Sequence, residues 1–453
     1  MAAPRQHGVT SSEPMHPAYR KIFLRIVPLI MLMYLLAWLD RVSIGFASLE
    51  MNDDLGLTTT AFGLGAALFF VGYFFFEVPS NIIMEKVGAR VWLARILITW
   101  GLVTAATAFV VGEYSFYAAR TLLGVAEAGF FPGVLLYLTY WVPRAVRGRI
   151  TALFIMAAPI ASAVGAPLAS LVLTHLDNTF GLRSWQILFL LLGFPTVLVG
   201  VLVFWLLPSR PADAAWLSAS ERQFLEAELE RERAETPDAS RPSPLSALKS
   251  PPILALALIF FGINSGSYLL NFFLPQVIQA LETSTGAGIT TMQVGLLTAI
   301  PWITALAVMY FTARHSDRTG ERVWHVFTGA VSSACALAAA PLVGNAVAAI
   351  ALLSVAAAGL YVAMPLFWQL PHRFLSASTA AAGIALINSI GNLSGFVGPY
   401  ATGALYDATG SFTGGMLLVS SLVFIAALAL VALNRVKARA VTPNTFRSDR
   451  SPQ

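Results

Sequence analysis

The sequence predicts an all-α membrane protein with twelve transmembrane helices arranged as two six-helix pseudo-repeats. The chain of 453 residues is 57% hydrophobic and only 11% charged, whereas soluble domains carry about 25% charged residues. Twelve stretches of this chain are long and apolar enough to supply the ~20 residues with which a helix crosses a bilayer. A single long hydrophilic segment separates the first six stretches from the last six.

The hydropathy pattern also predicts how the chain is divided. An N-terminal tail covers residues 1–21, a first bundle 22–207, a linker 208–250, a second bundle 251–436 and a C-terminal tail 437–453. Several of the apolar stretches contain Gly or Pro, which membrane helices tolerate. The predicted spans are 22–46, 61–83, 90–111, 115–141, 150–174, 185–207, 251–281, 291–313, 324–342, 346–370, 379–406 and 413–436.

The basic residues predict the orientation. Of 28 Lys and Arg residues, 25 fall in tails, loops or span ends on the side of the chain termini, one (Arg183) falls on the other side, and two (Arg41 and Arg120) lie deeper inside spans. Because positive residues stay on the cytoplasmic side, both termini are expected in the cytoplasm, with the chain crossing the cell inner membrane many times. The pI of about 9.4 then reflects this topology, and nucleic-acid binding is not expected.

The linker contains one recognisable helix signal. Ser218-Ala219-Ser220-Glu221 has the spacing of a capping box, in which two side chains bond to the first free backbone groups of a helix. A short charged helix is therefore predicted to about Glu235, on the cytoplasmic face. Its apolar edge consists of Phe224, Leu225 and Leu229.

Two sequence landmarks of the first half recur in the second half, both after nearly the same number of residues, which indicates an internal duplication. The turn after span two has its counterpart after span eight, and the separation of these turns along the chain nearly equals that of Gly165 and Gly398. A repeat of six spans is typical of transporters, which bind substrate at the repeat interface. The two turns carry the predicted loop and gating residues Glu85, Gly88, Arg90, Asp317, Arg318 and Gly320.

Further motifs lie inside the spans. They are Asp40-Arg41, Gly72-Tyr73, Glu77-Val78-Pro79-Ser80-Asn81, Arg120-Thr121-Leu122-Leu123-Gly124, Glu127-Ala128-Gly129-Phe130-Phe131-Pro132 and Asn388-Ser389-Ile390-Gly391-Asn392. With these motifs and the two loop turns, residues 20–437 resemble the major facilitator superfamily. More narrowly they resemble its anion:cation symporter family, which includes bacterial tartrate, phthalate, hydroxyphenylacetate and galactonate permeases.

Five ionisable residues lie at membrane depth: Asp40, Arg41, Glu77, Arg120 and Glu127. Each costs at least ~2.5 kcal/mol there and is a functional hypothesis by default. A helix rises about 1.5 Å per residue, which places Asp40 and Arg120 at similar depth, so we expect them to meet as a proton-sensitive pair. The alternative is an inert packing pair. Glu127 shares a helix face with Arg120 and is expected to lack a nearby cation, which suits a proton carrier; the alternative is a cavity acid without coupling.

The remaining site predictions concern substrate. Arg41 is interpreted as the ligand of an anionic substrate, because a guanidinium matches a carboxylate with two parallel bonds; the alternative is a side chain that reaches the outer surface. The resemblance implies proton coupling at Asp40 and Glu127. It also implies a cavity lined by Tyr73, Trp368 and Asn388. Glu77, near the cytoplasmic end of span two, is assigned a structural or gating role and not substrate contact.

The chain lacks the polar amide that relatives place near residues 157–159, which favours a less hydroxylated substrate. Gln276 and Gln369 are further cavity candidates.

No phosphate-binding loop or nucleophile motif is present, and Cys335 is the single cysteine. We therefore expect no enzyme activity, no cofactor and no metal site. The sequence predicts a secondary transporter, acting as a monomer in the lipid bilayer, that imports an organic carboxylate with protons by rocking of its two halves. The alternatives are a drug:proton antiporter, or a receptor or membrane enzyme.

Overall fold

Helices make up nearly all of the protein. The computed structural model describes residues 16–235, 250–285, 290–371 and 377–441, and within these ranges the only β pairing is an isolated bridge between Thr179 and Leu182. The helices in chain order are α1 Pro17–Arg25, α2 Val27–Leu55, α3 Thr59–Val87, α4 Ala89–Thr107, α5 Glu113–Glu127, α6 Phe130–Trp141, α7 Arg144–His175, α8 Ser184–Leu206, α9 Ala219–Glu235, α10 Pro251–Thr285, α11 Thr291–Thr319, α12 Val323–Ala339, α13 Ala346–Phe367, α14 Ala377–Asn392, α15 Ser394–Thr409 and α16 Thr413–Val441.

The predicted all-α membrane fold is confirmed. Eleven segments of the described chain are long and apolar enough to cross a membrane, and each coincides with a predicted span. The predicted span 379–406 is instead built from α14 and α15, which meet at Leu393. There the Ser394 hydroxyl donates to the carbonyl of Gly391 at 2.6 Å, and a side chain bonded in this way competes with the helix backbone.

The internal duplication is visible in matched helices. Both α3 and α11 have 29 residues. Their first residues, Thr59 and Thr291, are separated along the chain by the same number of residues as the two loop turns. A threonine caps each helix, Thr58 for α3 and Thr290 for α11. Each ends at a glycine with positive φ, 94° after α3 and 71° after α11, a conformation that residues with a side chain rarely adopt. The two halves therefore repeat one helical plan.

The first half of the molecule comprises α1–α9 and the second half α10–α16. We call the surface where α1 begins and α16 ends the terminal face, and the opposite surface the distal face. The halves contact each other through α2 with α10, α3 with α15, and α7 with α11. Small residues permit close approach: Gly45 lies against the carbonyl of Phe272, and Gly63 lies against the carbonyl of Pro399.

Hydrogen bonds between the halves lie at the distal face and near the middle of the bundle. The Asp407 carboxylate of α15 accepts from the backbone N–H groups of Thr59 and Thr60, at 3.1 and 2.7 Å, in the first turn of α3. The Gln276 amide donates to the Ser48 hydroxyl at 2.7 Å. Asn388 donates to Glu77. Within the described part of the structure, hydrogen bonds therefore join the two halves at the distal face.

The predicted linker helix forms as α9 and is attached to the first half. Both bonds of its capping box are present, from the Ser218 N–H to Glu221 at 2.8 Å and from the Glu221 N–H to Ser218 at 3.2 Å. Lys21 of α1 donates to Glu221 at 2.6 Å. The pKa of the Glu221 carboxyl lies below its ordinary value, chiefly because of this hydrogen bond from Lys21. Phe224 stacks on His16, and Arg147 pairs with Glu232 at 3.0 Å.

Candidate functional site

A break in the fourth span creates the centre of the site. Helix α5 ends at Glu127, and α6 begins at Phe130. Between them Gly129 adopts a φ of 84°, where a side chain would be strained. Pro132 follows in the first turn of α6, a position at which its missing N–H costs no helix bond. This sequence thus places the fully buried Glu127 at the last residue of a helix.

Glu127 forms an ion pair with Arg41 of α2. The expectation that Glu127 has no nearby cation is therefore wrong. From helix rise alone, Glu127 lies about 10 Å nearer the terminal face than Arg120 does. Side chains lean toward the N-terminus of their own helix. Because α2 and α5 run in opposite directions, the side chains of Arg41 and Glu127 lean toward each other and close the gap.

Asp40 and Arg120 are both buried, at 3% and 2% exposure, but they form no ion pair within 4.0 Å, although both belong to the described chain. The same geometry explains this difference from the predicted pair. At equal depth on antiparallel helices, the two side chains lean apart. Asp40 instead lies near Trp100 and Thr104 of α4, while Arg120 remains close enough to attract it electrostatically.

An aromatic ring of α3 lies near both guanidiniums. The guanidinium carbon (Cζ) of Arg41 lies 5.3 Å from the centre of the Phe69 ring, and that of Arg120 lies 5.2 Å from it. Tyr73 lies one turn further along α3, and its ring centre is 5.9 Å from the guanidinium carbon of Arg41. Such contacts stabilise a cation where water is excluded. The predicted cavity residue Tyr73 is thus part of the charged site.

Close backbone packing holds these groups together. The Gly124 position of α5 touches the carbonyl of Phe69, and Gly72 of α3 touches the carbonyl of Thr121. A side chain at either glycine would force α3 and α5 apart. The motifs Gly72-Tyr73 and Arg120–Gly124 therefore serve to bring the rings of α3 against the charges of α2 and α5.

The four charges are balanced but not fully bonded. Two carboxyl groups and two guanidiniums give no net charge when all are ionised. One buried polar atom of each lacks a hydrogen-bond partner in the structure: Asp40 Oδ1, Arg41 Nε, Arg120 Nε and Glu127 Oε2. A buried polar group without a partner is costly. The site is therefore prepared to accept a further polar ligand or a proton.

The second half contributes uncharged polar groups that the sequence analysis missed. On α10, Asn264, Ser267, Tyr268 and Asn271 are all buried and share one face by their spacing of three or four residues. Tyr268 packs edge-on to Phe70 at 4.5 Å and lies close enough to Arg41 to interact electrostatically. The signal was present in the sequence as polar residues at helical spacing within an apolar span.

Asn388 and Trp368, two of the predicted cavity residues, contact side chains other than the four charged ones. Asn388 donates to the Glu77 carboxylate at 3.1 Å, which links α14 to α3 across the two halves. Trp368 packs edge-on to Phe260 at 4.7 Å. Gln276 binds Ser48 at the contact between the halves, and Gln369 accepts from Arg322 near the terminal face rather than lining the centre.

The loop turns bind within their own halves. Arg90 donates to the carbonyl of Phe204 and stacks on its ring, while Glu85 is exposed. In the second half Asp317 pairs with Arg322 at 2.9 Å, and Arg318 is exposed. Gly88 and Gly320 supply the positive φ angles described above. In this conformation the two turns fasten α4 to α8 and α11 to α12.

Together, the helical bundle and its enclosed, incompletely bonded charges define a multi-pass membrane transport protein. A sequence model described as the Major Facilitator Superfamily matches residues 30–399. The chain belongs to this superfamily and is a transporter of small molecules, not an enzyme.

Individual relatives agree with this assignment. A protein of Agrobacterium vitis named "Putative tartrate transporter" is 46% identical over 97% of this chain and 96% of its own. A protein of Acinetobacter baumannii named "Quinolone resistance transporter" is 42% identical over 88% of this chain and 91% of its own. A bacterial homolog to the human lysosomal transporter Spinster, solved in an inward-facing and unoccupied conformation, superposes with a TM-score of 0.72 over 94% of this chain and 99% of its own, at 15% identity.

Proposed function

We propose that the protein imports an organic carboxylate together with protons across the cell inner membrane. The observation that carries this proposal is the balanced charge set of Asp40, Arg41, Arg120 and Glu127. Both chain termini lie in the cytoplasm, as the distribution of Lys and Arg favours. The protein acts as a monomer whose halves open the distal and terminal faces in turn.

Proton binding and anion binding follow from the same charges. When all four groups are ionised, an added anion would leave the enclosed site with an uncompensated negative charge, which is costly. A proton on Glu127 or Asp40 leaves one guanidinium in excess. One carboxylate group can then enter and restore neutrality, and a dianion such as tartrate requires a proton on both Glu127 and Asp40. Proton and carboxylate therefore bind together, which is the requirement for symport.

Glu127 is the proton carrier in this scheme, and Arg41 is the substrate ligand. The carboxylate of Glu127 occupies the C-terminal end of α5, where the helix dipole disfavours negative charge. Protonation releases the Arg41 guanidinium, which then takes the substrate carboxylate through two parallel bonds. The substrate carboxylate thus replaces the carboxylate of Glu127 on the same cation.

Membrane energetics support co-transport. Moving one negative charge inward against an inside-negative potential costs about 2.3 kcal/mol per 100 mV, and each accompanying proton removes that cost. The relatives favour a tartrate-like acid as the carboxylate. Asp40 and Arg120 set the field around Arg41, Tyr73 and Trp368 line the path of the substrate, and the Glu77–Asn388 bond gates the contact between α3 and α14.

A second candidate function is drug efflux by proton exchange, favoured by the 42% identity to the quinolone resistance protein. An efflux protein of this kind takes up its drug into inside-out vesicles when protons flow the other way. A carboxylate importer accumulates acid in the direction of proton flow. The sign of the coupling therefore separates the two functions.

The test uses purified protein in proteoliposomes with an imposed pH gradient. We expect uptake of labelled L-tartrate that follows protons inward, is abolished by a protonophore and is inhibited by related dicarboxylates. Norfloxacin, a quinolone, serves as the efflux probe. Tartrate uptake that is insensitive to the protonophore, or norfloxacin transport opposite to protons, would overturn the proposal.

Glu127→Gln tests the proton carrier. Glutamine resembles the protonated acid, so the loaded carrier still exchanges substrate, but the proton cannot leave. We expect tartrate counterflow to persist and accumulation driven by the pH gradient to be lost. The matched control is Glu113→Gln, at an exposed glutamate at the start of the same helix. Normal accumulation in Glu127→Gln would place the coupled proton elsewhere.

A further inference from the structure

We propose that Asn271 and Tyr361 of the second half form an uncharged subsite that binds a hydroxyl group of the substrate. This inference rests on the proposed function and extends it from carboxylates in general to hydroxy acids. Nothing in the charged site requires a hydroxyl, because Arg41 and Glu127 are sufficient to bind a carboxylate and a proton. The subsite is carried by separate groups on α10 and α13.

The two side chains present unused hydrogen-bonding atoms next to each other. The Asn271 amide donates to the carbonyl of Ser267 at 2.7 Å, which leaves its Oδ1 without a partner. The Tyr361 hydroxyl also makes no hydrogen bond of normal geometry, although Asn271, Ser267 and, from the first half, Ser162 lie close enough to interact with it. Both side chains are more than nine-tenths buried. Native proteins rarely leave such atoms unpaired.

The available atoms match an alcohol better than a second carboxylate. Asn271 Oδ1 only accepts hydrogen bonds, whereas the Tyr361 hydroxyl can donate or accept. A substrate hydroxyl donates to Asn271 while accepting from Tyr361, and so satisfies both. An ionised carboxylate can only accept, so it would leave Asn271 Oδ1 facing another acceptor. The nearby indole N–H of Trp302, whose ring lies 5.6 Å from that of Tyr361, is likewise unpaired.

The position of the subsite suits access from the distal face. A cavity of about 700 Å³ opens there between α2 and α10, and Ser48 and Gln276 are among its lining residues. A hydrogen bond joins Ser48 to Gln276, and along α10 this bond lies nearer the distal face than Asn271. Beyond it, the carbonyl of Asn271 lies against Gly45 of α2, one turn from Arg41. When the distal face opens, a substrate thus meets the subsite before or while its carboxylate reaches Arg41.

This assignment reverses one expectation drawn from the sequence. The apolar residues at 157–159 favoured a less hydroxylated substrate, because the first half there lacks an amide. The structure supplies an amide and a phenol from α10 and α13 instead. The polar stripe on α10, running from Asn264 to Asn271, gives the second half an uncharged recognition surface opposite the charges of α2 and α5.

The experiment compares acids that differ only in hydroxyl groups. Uptake of succinate, L-malate and L-tartrate is measured in proteoliposomes for wild-type protein and for Tyr361→Phe, which removes one hydroxyl group. We expect the preference of kcat/KM for tartrate over succinate to fall roughly tenfold, the effect of one ordinary hydrogen bond. Succinate uptake should change little.

The matched control is Tyr137→Phe. Tyr137 is equally buried, but its hydroxyl donates to the carbonyl of Pro208 near the terminal face. This variant should keep the wild-type ratio of tartrate to succinate. Ligand-induced stabilisation in detergent, with the same three acids, gives a second reading for Asn271→Ala if that variant transports poorly. Loss of tartrate stabilisation with succinate stabilisation retained would support the subsite.

Failure of the hydroxyl subsite and failure of the proposed function would give different results. An unchanged preference in Tyr361→Phe, with wild-type protein carrying all three acids, overturns the hydroxyl subsite and leaves proton-coupled carboxylate import intact. Equal loss for succinate and tartrate assigns Tyr361 a structural role and also overturns the subsite. If wild-type protein takes up and binds none of the acids, the proposed function fails and the subsite fails with it.

Discussion

The first half of the molecule gathers four charged side chains around α2 and α5, whereas the second half presents amides and hydroxyls of α10 and α13 toward the same central region. Both halves descend from one helical plan, as the matched lengths and caps of α3 and α11 show. The duplication thus preserved the scaffold while the chemistry of the two copies diverged. Buried charge lies in one copy, and buried uncharged polar groups lie in the other; in the proposed function the first couples to protons and the second recognises the substrate.

The largest effect should come from removing one member of the Arg41–Glu127 pair. Arg41→Ala strands a buried carboxylate, which typically costs about 3–5 kcal/mol. We expect a marked fall in the unfolding temperature in detergent and loss of tartrate uptake. The double variant with Glu127→Ala should recover much of the stability but no transport. Additive losses in this cycle would show that the two side chains do not interact.

Arg41→Lys separates charge from geometry. Lysine keeps the positive charge opposite Glu127 but cannot form two parallel bonds to a carboxylate. The protein should stay folded, and KM for tartrate should rise at least tenfold. The matched control is Arg149→Lys, at an exposed arginine of α7 outside the site, and this variant should keep the wild-type KM. An unchanged KM in Arg41→Lys would remove Arg41 as the anion ligand.

A second double-mutant cycle measures the coupling energy between the other two charged side chains of the first half, Asp40 and Arg120. Asp40→Asn and Arg120→Gln remove groups that attract each other without direct contact. Their coupling energy should therefore be smaller than that of Arg41 and Glu127, at about 1 kcal/mol or less, since coupling falls as direct contact is lost. Thermal unfolding of the single and double variants measures it. A coupling as large as that of the Arg41–Glu127 cycle would mean that Asp40 and Arg120 form a direct pair in solution.

The contact between the halves at the distal face should give a moderate effect. Asp407→Asn removes the charge and one of the two oxygens that accept from the first turn of α3, and loss of one such hydrogen bond costs about 1 kcal/mol. We expect the distal face to open more often. The readout is labelling of Val277→Cys by a membrane-impermeant thiol reagent, in a Cys335→Ser background. The control Asp53→Asn alters an exposed acid of the same face, and equal labelling in both variants would contradict a gating role.

The smallest effect concerns the partly buried contact between Lys21 of α1 and Glu221 of α9. Because the folded-state pKa of Glu221 is lowered, its contribution is present above the ordinary carboxyl pKa and is lost as pH falls through the lowered value. Protection of α9 from hydrogen exchange should therefore weaken in acid. Lys21→Met should show the weaker protection already at neutral pH. Identical protection in both proteins at all pH values would exclude this contact as the cause.

Much of the fold follows from composition and spacing. Hydropathy located the spans, the capping box located α9, and the common offset of the loop turns identified matched helices that the structure confirms. The break at Leu393 was not predicted, because no proline marks it and the competing bond from Ser394 to Gly391 depends on the folded geometry.

The sequence predicted which charged residues lie close together better than it predicted which of them form an ion pair. Motifs and depth selected Asp40, Arg41, Arg120 and Glu127, and all four lie close together among α2, α3, α4 and α5. Helix rise places backbones, however, and not the ends of long side chains, so the pairing of Arg41 with Glu127 was missed. The polar face of α10 was overlooked for another reason: a search for charges inside spans does not single out uncharged polar residues.

The bond from Asp407 to the first turn of α3 also has a consequence for the order of events during synthesis. Helix α3 leaves the ribosome among the first spans, but the carboxylate that completes its N-terminal turn is made much later, near the end of the chain. Until then Thr58 is the only side chain of the described structure that bonds to that turn. A chain that stops before residue 407 lacks this closure, so the finished distal contact distinguishes a full-length protein from a truncated one.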